Sequence, residues 1–292
     1  MCFCDRMFSK YLLSLYYLVV LVSISMASIL VLLTNAPGSV CAFWRLFFSI
    51  VFLTPIILLR RSSVFHIYSL LSGVFLGLHF VFWMESLYMI PVFISTLLVV
   101  TYPFYNLFFD KILFRENISL IQVVGLVIGF IGVSLYYLPS LSYDLDLLGV
   151  SYALFAGFLA SLYFTIGRYL RSRVGIGLFE YVYPTYLSAM ITTLTYNLLY
   201  SVDLLNYSVI TYMYFILLAL IPMFGGHTLM NYLLKHVKTT TITSIALGEP
   251  IGAGILAYIF FNQTIGYYKL LVSVMVLTSL FLVVYGEKET YS

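Results

Sequence analysis

Residues 11–33 read YLLSLYYLVVLVSISMASILVLL, twenty-three positions without a formal charge, and stretches almost as apolar recur along the whole 292-residue chain. A run of about 20 apolar residues is what crossing a bilayer as a helix requires. No other local structure suits it, because a lone strand in hydrocarbon leaves its backbone N–H and C=O groups without partners. Charged residues make up 9% of the chain and hydrophobic ones 63%, with a mean hydropathy of +1.06, whereas soluble domains carry roughly 25% charged residues. These numbers exclude a water-soluble enzyme, a nucleic-acid binder and a disordered chain. They predict an all-α integral membrane protein.

The runs fall at 11–33, 40–59, 67–88, 92–113, 120–137, 148–169, 181–200, 209–233, 240–261 and 268–285, ten in all. Turn-forming residues separate them: Asn35-Ala-Pro-Gly38, Arg60-Arg-Ser-Ser63, Met89-Ile-Pro91, Pro139-Ser140 and Ser201-Val-Asp203. With the N-terminus placed in the cytoplasm and its first helix retained, the cytoplasmic ends carry Arg6, Lys10, Arg60, Arg61, Lys111, Arg115, Arg168, Arg171, Arg173, Lys235, Lys238 and Lys288, twelve of the 14 Lys and Arg residues. Arg45 lies inside a run, and Lys269 sits at an outer edge beside loops holding Asp144, Asp146 and Asp203. This one-sided distribution follows the positive-inside rule and predicts ten transmembrane helices with both termini cytoplasmic.

The chain also repeats itself. Residues 102–119, YPFYNLFFDKILFRENIS, resemble 249–266, EPIGAGILAYIFFNQTIG, with a proline near the start of each and Phe114, Asn117 and Ile118 matched by Phe261, Thr264 and Ile265. Runs one to five then repeat as six to ten, and an odd number of crossings inverts the second copy. The expected units are 1–138 and 148–286, followed by a short tail, 287–292. Inverted repeats are characteristic of secondary carriers, with the substrate near the midplane between halves.

Arg45 with Arg60-Arg61, Gly73 and Gly77, Tyr102-Pro103 with Arg115-Glu116, the ladder Gly125, Gly129, Gly132, and Glu249-Pro250 together give the chain a resemblance to the EamA-like branch of the drug/metabolite transporter superfamily over essentially its full length. The resemblance implies a ten-helix carrier of two inverted five-helix units, in a family many of whose members export amino acids or other small metabolites. At Asn262-Gln263 the sequence departs from the Gly-Glu pair more common there.

Ionisable residues inside membrane spans are expensive and therefore candidates for function. At 1.5 Å per residue, Arg45 lies roughly 22 Å and Glu85 roughly 28 Å from the cytoplasmic edge. A pair between them is expected, as an outer gate or anion-recognising site in one reading and a structural salt bridge in the other. Glu249, His227 and His79 fall near the midplane. A desolvated carboxyl and an imidazole are suited to proton coupling, while the structural alternative has Glu249 bonding backbone freed by Pro250 and each histidine bonding a neighbouring helix. Pro103, Pro222, Gly225, Gly226, Gly248 and Pro250 are candidate hinges or breaks. Phe80, Trp83, Tyr105, Tyr163, Tyr186 and Asn231 are candidates for lining a cavity, with core packing as the alternative.

Cys2, Cys4 and Cys41 form no metal or disulfide pattern. Neither G-x-x-x-x-G-K-[ST], H-E-x-x-H nor G-x-S-x-G occurs. We therefore expect no cofactor, no metal and no catalytic residue. The expected partners are a small-molecule substrate (an amino acid or other metabolite), the lipid of the cell membrane and protons as coupling ion, with no nucleic acid. The rival reading is a membrane-embedded enzyme acting on a lipid-linked or amphipathic substrate.

Overall fold

The computed structural model describes residues 10–60, 66–137, 146–261 and 266–289. Cys2, Cys4, Arg6, Arg61, Pro139, Ser140, Asp144 and Asn262-Gln263 lie outside the described residues. Within them every regular element is helical: α1 (Lys10–Ser25), α2 (Ala27–Leu33), α3 (Gly38–Arg60), α4 (Ile67–Met89), α5 (Val92–Val99), α6 (Tyr102–Ile112) and α7 (Leu120–Tyr137) precede α8 (Leu147–Arg168), α9 (Leu178–Leu199), α10 (Val209–Leu218), α11 (Leu229–Leu233), α12 (Thr239–Ser244), α13 (Glu249–Phe261) and α14 (Tyr267–Glu289). A π-helical turn, Tyr169–Val174, extends α8; a longer one, Ala219–Thr228, joins α10 to α11; a 3₁₀ turn, Ile245–Gly248, joins α12 to α13.

Among the described residues, six stretches are long and apolar enough to cross a membrane: Leu12–Leu33, Gly38–Arg60, Ile67–Met89, Leu147–Val174, Val209–Leu233 and Tyr267–Glu287. The other expected spans differ for visible reasons. α7 has 18 residues, α9 carries Glu180, Thr185, Thr192, Thr193 and Asn197, and two runs are broken. Run 92–113 breaks at Val100–Thr101 and run 240–261 at Ile245–Gly248, each just before a proline in the first turn of the next helix, Pro103 in α6 and Pro250 in α13. Proline is at home there because its missing N–H falls among the unbonded first-turn donors.

Solubility logic is inverted in this molecule. Leu58, Leu59, Leu120, Leu147, Leu199, Val209 and Leu271 are exposed, while Arg45, His79, Asn106, Asp110, Arg168, Asn231 and Glu249 are buried. Because lipid removes the hydrophobic drive between helices, close packing must supply it, and small residues permit that approach. A Cβ on Gly73 would lie 2.2 Å from the Thr185 carbonyl oxygen and one on Gly77 2.8 Å from that of Ala189, so α4 meets α9 backbone to backbone. Gly125, Gly129 and Gly132 let α7 lie against Val283, Ser279 and Val276 of α14.

The packing exchanges the halves. α7 pairs with α14, α3 with α9 and α6 with α12; α4 lies on α8 and α9 as the α10 rod lies on α1, α2 and α3; and α5–α6 meet α8 as α13 meets α1. Each of these contacts between the two halves of the chain has a counterpart when α1–α7 are exchanged for α8–α14.

Candidate functional site

Between α1–α2, α3, α4, α5–α6, α8, the π-helical turn with α11, and the start of α13, a small cavity of about 40 Å³ remains, with Arg45, His79, Trp83, Tyr102, His227 and Glu249 on its walls. Ile24, Ala27, Val99, Val100, Phe164, Pro222 and Met230 supply its apolar lining.

Arg45 enters from α3 at 1% exposure, its guanidinium carbon 4.1 Å from the centre of the Phe80 ring. α4 supplies Phe80 together with His79 and Trp83, four residues apart and hence on one helix face, their rings stacked at 6.2 Å. His79 Nδ1–H donates to the Ala156 carbonyl of α8 at 2.9 Å. His227 comes from the π-helical turn, its ring stacked on Phe164 at 5.8 Å, edge-on to Phe80 at 5.1 Å and 6.3 Å from His79. Glu249 is the first residue of α13, 6% exposed.

Among the described residues, none of the three Arg45 guanidinium nitrogens has a hydrogen-bond partner, and neither does Glu249 Oε1, His227 Nδ1 or Trp83 Nε1. Buried polar atoms are nearly always paired, and those that are not call for an explanation. Here a cation, a carboxylate oxygen and two ring nitrogens are unpartnered on the walls of one chamber. Chemically, the cluster offers unused donors suited to an anionic group and an unused carboxyl acceptor suited to a donor group.

The predicted residues divide. Arg45, His79, His227 and Glu249 come together with Trp83. Glu85 does not join Arg45: its Oε1 accepts the Ser39 backbone N–H at 2.7 Å, so it caps α3. The cause is register. A Cβ on Gly38 would lie 2.4 Å from the Met84 carbonyl carbon, and this backbone contact holds Glu85 level with the start of α3, six residues beyond Arg45.

Tyr163, Tyr186 and Asn231 form a bonded layer beside the chamber rather than its wall. Asn231 Nδ2 donates to the Tyr163 hydroxyl and, at 2.7 Å, to the His227 carbonyl; the Tyr186 hydroxyl meets that of Thr228 at 2.8 Å. Phe80 packs under Arg45, and Tyr105 packs edge-on against Phe158 away from the chamber. Gly225 and Gly226 admit Ser23 and Ile24 of α1, and Gly248 admits Leu21, so these glycines serve close packing, while Pro103, Pro222 and Pro250 mark the irregular turns.

Sequence reasoning missed Tyr102, though the repeat alignment pairs it with Glu249 and both line the chamber. It also missed a polar seam between halves. Asp110 Oδ2 accepts from Thr240 N–H and Oγ1–H at 2.8 and 2.7 Å, Gln122 Nε2 donates to Thr241 Oγ1 at 3.3 Å, and Asn106 Nδ2 donates to Thr243 Oγ1 at 3.1 Å. The run Thr239-Thr240-Thr241 opposite Asp110 was its signal.

The model of the EamA-like transporter family matches residues 9–138 and again 147–285. The chain belongs to the EamA-like transporter family. The model matches once in each half of the chain, and EamA-like proteins are membrane proteins of the drug/metabolite transporter type, so this is a multi-pass membrane chain of a transporter family. Compared with curated proteins, its sequence has no match. Among solved structures, one crystal structure superimposes with a TM-score of 0.79 over 94% of this chain and 98% of the other at 13% identity, a likeness of fold alone.

Proposed function

We propose that this EamA-like chain is a secondary carrier that moves a small organic metabolite across the cell membrane by alternating access, with the chamber around Arg45 and Glu249 as its substrate site. The observation that carries the reading is the Arg45 guanidinium and the Glu249 carboxyl, both buried, both lining one chamber and both with atoms that have no hydrogen-bond partner among the described residues. A zwitterion such as an amino acid supplies both complements, its carboxylate to Arg45 and its ammonium to Glu249. Arg is suited to the first role because its planar donor fork matches a carboxylate bidentately.

Ten crossings follow when α1–α2, α5–α6, α8 with its π turn, α10–α11 and α12–α13 each count as one rod beside α3, α4, α7, α9 and α14. The units 1–138 and 148–286 are then inverted copies, and 287–292 is a cytoplasmic tail. The gathering of Arg115, Arg168, Arg173, Lys235 and Lys238 around one cleft supports putting that end in the cytoplasm. Access is one-sided. A second cavity of about 290 Å³, lined by Ser28, Thr96, Tyr136, Pro250, Gly254 and Lys269 among others, shares just one residue with the chamber, Glu249. At the other end Asp110–Thr240, Gln122–Thr241 and Arg168–Glu116 bridge the halves. This favours a conformation closed toward the cytoplasm, with Glu249 at the inner end of an outer vestibule. Protons are the proposed coupling ion, through Glu249 and His227.

Purified protein in sealed vesicles tests the reading. A zwitterionic metabolite should cross unchanged in wild type and not in Arg45→Met, and a pH gradient should drive it in wild type but not in Glu249→Gln or His227→Ala. Full gradient-driven transport in both of the latter removes protons from the scheme. Chemical change of the compound in open micelles replaces the carrier with an enzyme.

A further inference from the structure

Away from the chamber, where the α6–α7 loop meets the ends of α8 and α11, lies an open cleft of about 420 Å³. Five cationic side chains line it, Arg115, Arg168, Arg173, Lys235 and Lys238, against the single carboxylate of Glu116. Behind the wall, Asp110 and Glu287 already hold the Thr240 and Lys238 backbone N–H groups. The inner part of the cleft is built and rigid. Arg168, 7% exposed, donates to the Leu234 and Val237 carbonyls at 2.7 and 2.9 Å and to Glu116 at 2.8 Å, while its Nε has no partner. Lys238 Nζ reaches the Asn117 carbonyl at 2.7 Å, and Arg173 reaches that of Phe114 at 2.9 Å. The rim is different. Arg115 and Lys235 are exposed and their side chains take no hydrogen bond or ion pair among the described residues, and Arg115 holds a left-handed backbone (φ 54°) that an ordinary loop residue avoids.

Positive-inside topology requires cations on this side, but it does not require five of them from three separate segments around one concavity. Spread cations would serve insertion equally well and repel one another less. We infer that this cleft binds a phosphate group, carried either by an anionic lipid at the membrane surface or by a free phosphate anion. The tetrahedral oxyanion accepts from several donors at once, and Arg forks with Lys point charges are the usual donor set. A basic pocket between transmembrane helices on the cytoplasmic side is also where lipid headgroups are held. Only the assignment to the inner leaflet rests on the orientation proposed above.

The test is thermal unfolding of the full chain, first in neutral detergent with inorganic phosphate or with sodium chloride at matched ionic strength, then in nanodiscs of phosphatidylcholine with or without phosphatidylglycerol. Arg115→Gln/Lys235→Gln removes the rim and leaves every named bond of the inner wall; Arg60→Gln removes an exposed cation elsewhere. At ten times the dissociation constant the midpoint should rise by about 2 °C in wild type and Arg60→Gln, and not in the double variant. A rise with inorganic phosphate identifies a free anion, and a rise confined to phosphatidylglycerol discs identifies a headgroup. No rise with either probe, or an equal rise in the double variant, overturns the site. Since nanodiscs expose the lipid to both faces, that failure leaves the carrier reading and its orientation untouched.

Discussion

Two buried arginines, treated identically, should respond in opposite ways. Arg168 is 7% exposed and makes three charge-assisted hydrogen bonds, to Leu234 O, Val237 O and Glu116 Oε1, each at 2.7–2.9 Å. Arg168→Met takes from Glu116 the guanidinium bonded to it at 2.8 Å and leaves two carbonyls short of a donor. Breaking one partner of a buried ion pair costs about 3–5 kcal/mol. Arg45 is 1% exposed and its guanidinium has no hydrogen bond to lose among the described residues; what favours its charge is the face of Phe80 at 4.1 Å, a cation–π interaction of about 0.5–2 kcal/mol, and the carboxyl of Glu249 across the chamber, to which it is not hydrogen-bonded. Against this stands the effective penalty for desolvating an ion, several kcal/mol. Arg45→Met keeps the volume and removes the charge, so the variant should be as stable as wild type or up to about 2 kcal/mol more stable, by the same balance, while transport is lost. Equilibrium unfolding in mixed micelles, paired with vesicle uptake, reads both quantities. If Arg45→Met instead loses more than about 2 kcal/mol, approaching Arg168→Met, then Arg45 is a structural residue and its charge is not reserved for a substrate.

Three further outcomes follow from single contacts. Gly38→Ala places a Cβ 2.4 Å from Met84 backbone and 2.5 Å from Glu85 N, so α3 and α4 must part; unfolding experiments should show a loss of about 2 kcal/mol or more, whereas Gly266→Ala, with nothing within 4 Å, should be neutral. Glu85→Gln weakens the acceptor for Ser39 N–H and should cost about 1 kcal/mol without abolishing transport, since Glu85 lies off the chamber; loss of uptake at unchanged stability would return Glu85 to the transport path. In the 200–208 loop, the Leu205 N–H and the Asn206 amide hold the Asp203 carboxyl below its usual 3.8. A lowered folded value contributes order that is present above the ordinary aspartate range and lost as pH falls through the folded value. The protection factor of this loop, its hydrogen-exchange rate divided into the intrinsic rate at the same pH, should therefore be high at neutral pH and fall as the Asp203 carboxyl is protonated in acid, and Asp203→Asn should show low protection at both.

The fold was legible because lipid leaves the backbone few choices. An apolar run of twenty residues in that solvent is a helix whatever its propensities, and the boundaries read from Gly38, Pro91 and Ser201 agree with the observed ends to within a few residues. What happens inside a run was harder to see. The breaks at Val100–Thr101 and Ile245–Gly248 sit in sequence as apolar as their surroundings, betrayed only by the proline that opens the next helix. Depth along a straight rod was the wrong ruler for the site. It put Arg45 and Glu85 roughly 6 Å apart in height, close enough to pair. The backbone contact at Gly38 fixes Glu85 beside Ser39 instead, about 9 Å along α3 from Arg45.

The duplication explains why the site needs both halves and why its charge is not duplicated. Under the alignment of 102–119 with 249–266, Tyr102 and Glu249 are equivalent, each preceding a proline, each opening a helix after a break, each facing the chamber. The break is a property of both copies, since it opens the backbone where the two broken rods converge. The carboxylate belongs to one. A second acid at Tyr102 would bring like charges together around about 40 Å³ with Arg45 as the sole guanidinium on its walls, a cost that burial multiplies. Arg45 from the first copy with Glu249 from the second gives a chamber of balanced charge, completed only when the halves close on each other. Tyr102→Glu should on this argument destabilise the protein, and Tyr102→Glu combined with Glu249→Tyr should recover part of the loss by restoring a single acid. If the double exchange is no more stable than Tyr102→Glu alone, the two positions are not equivalent and the symmetry argument for the site falls.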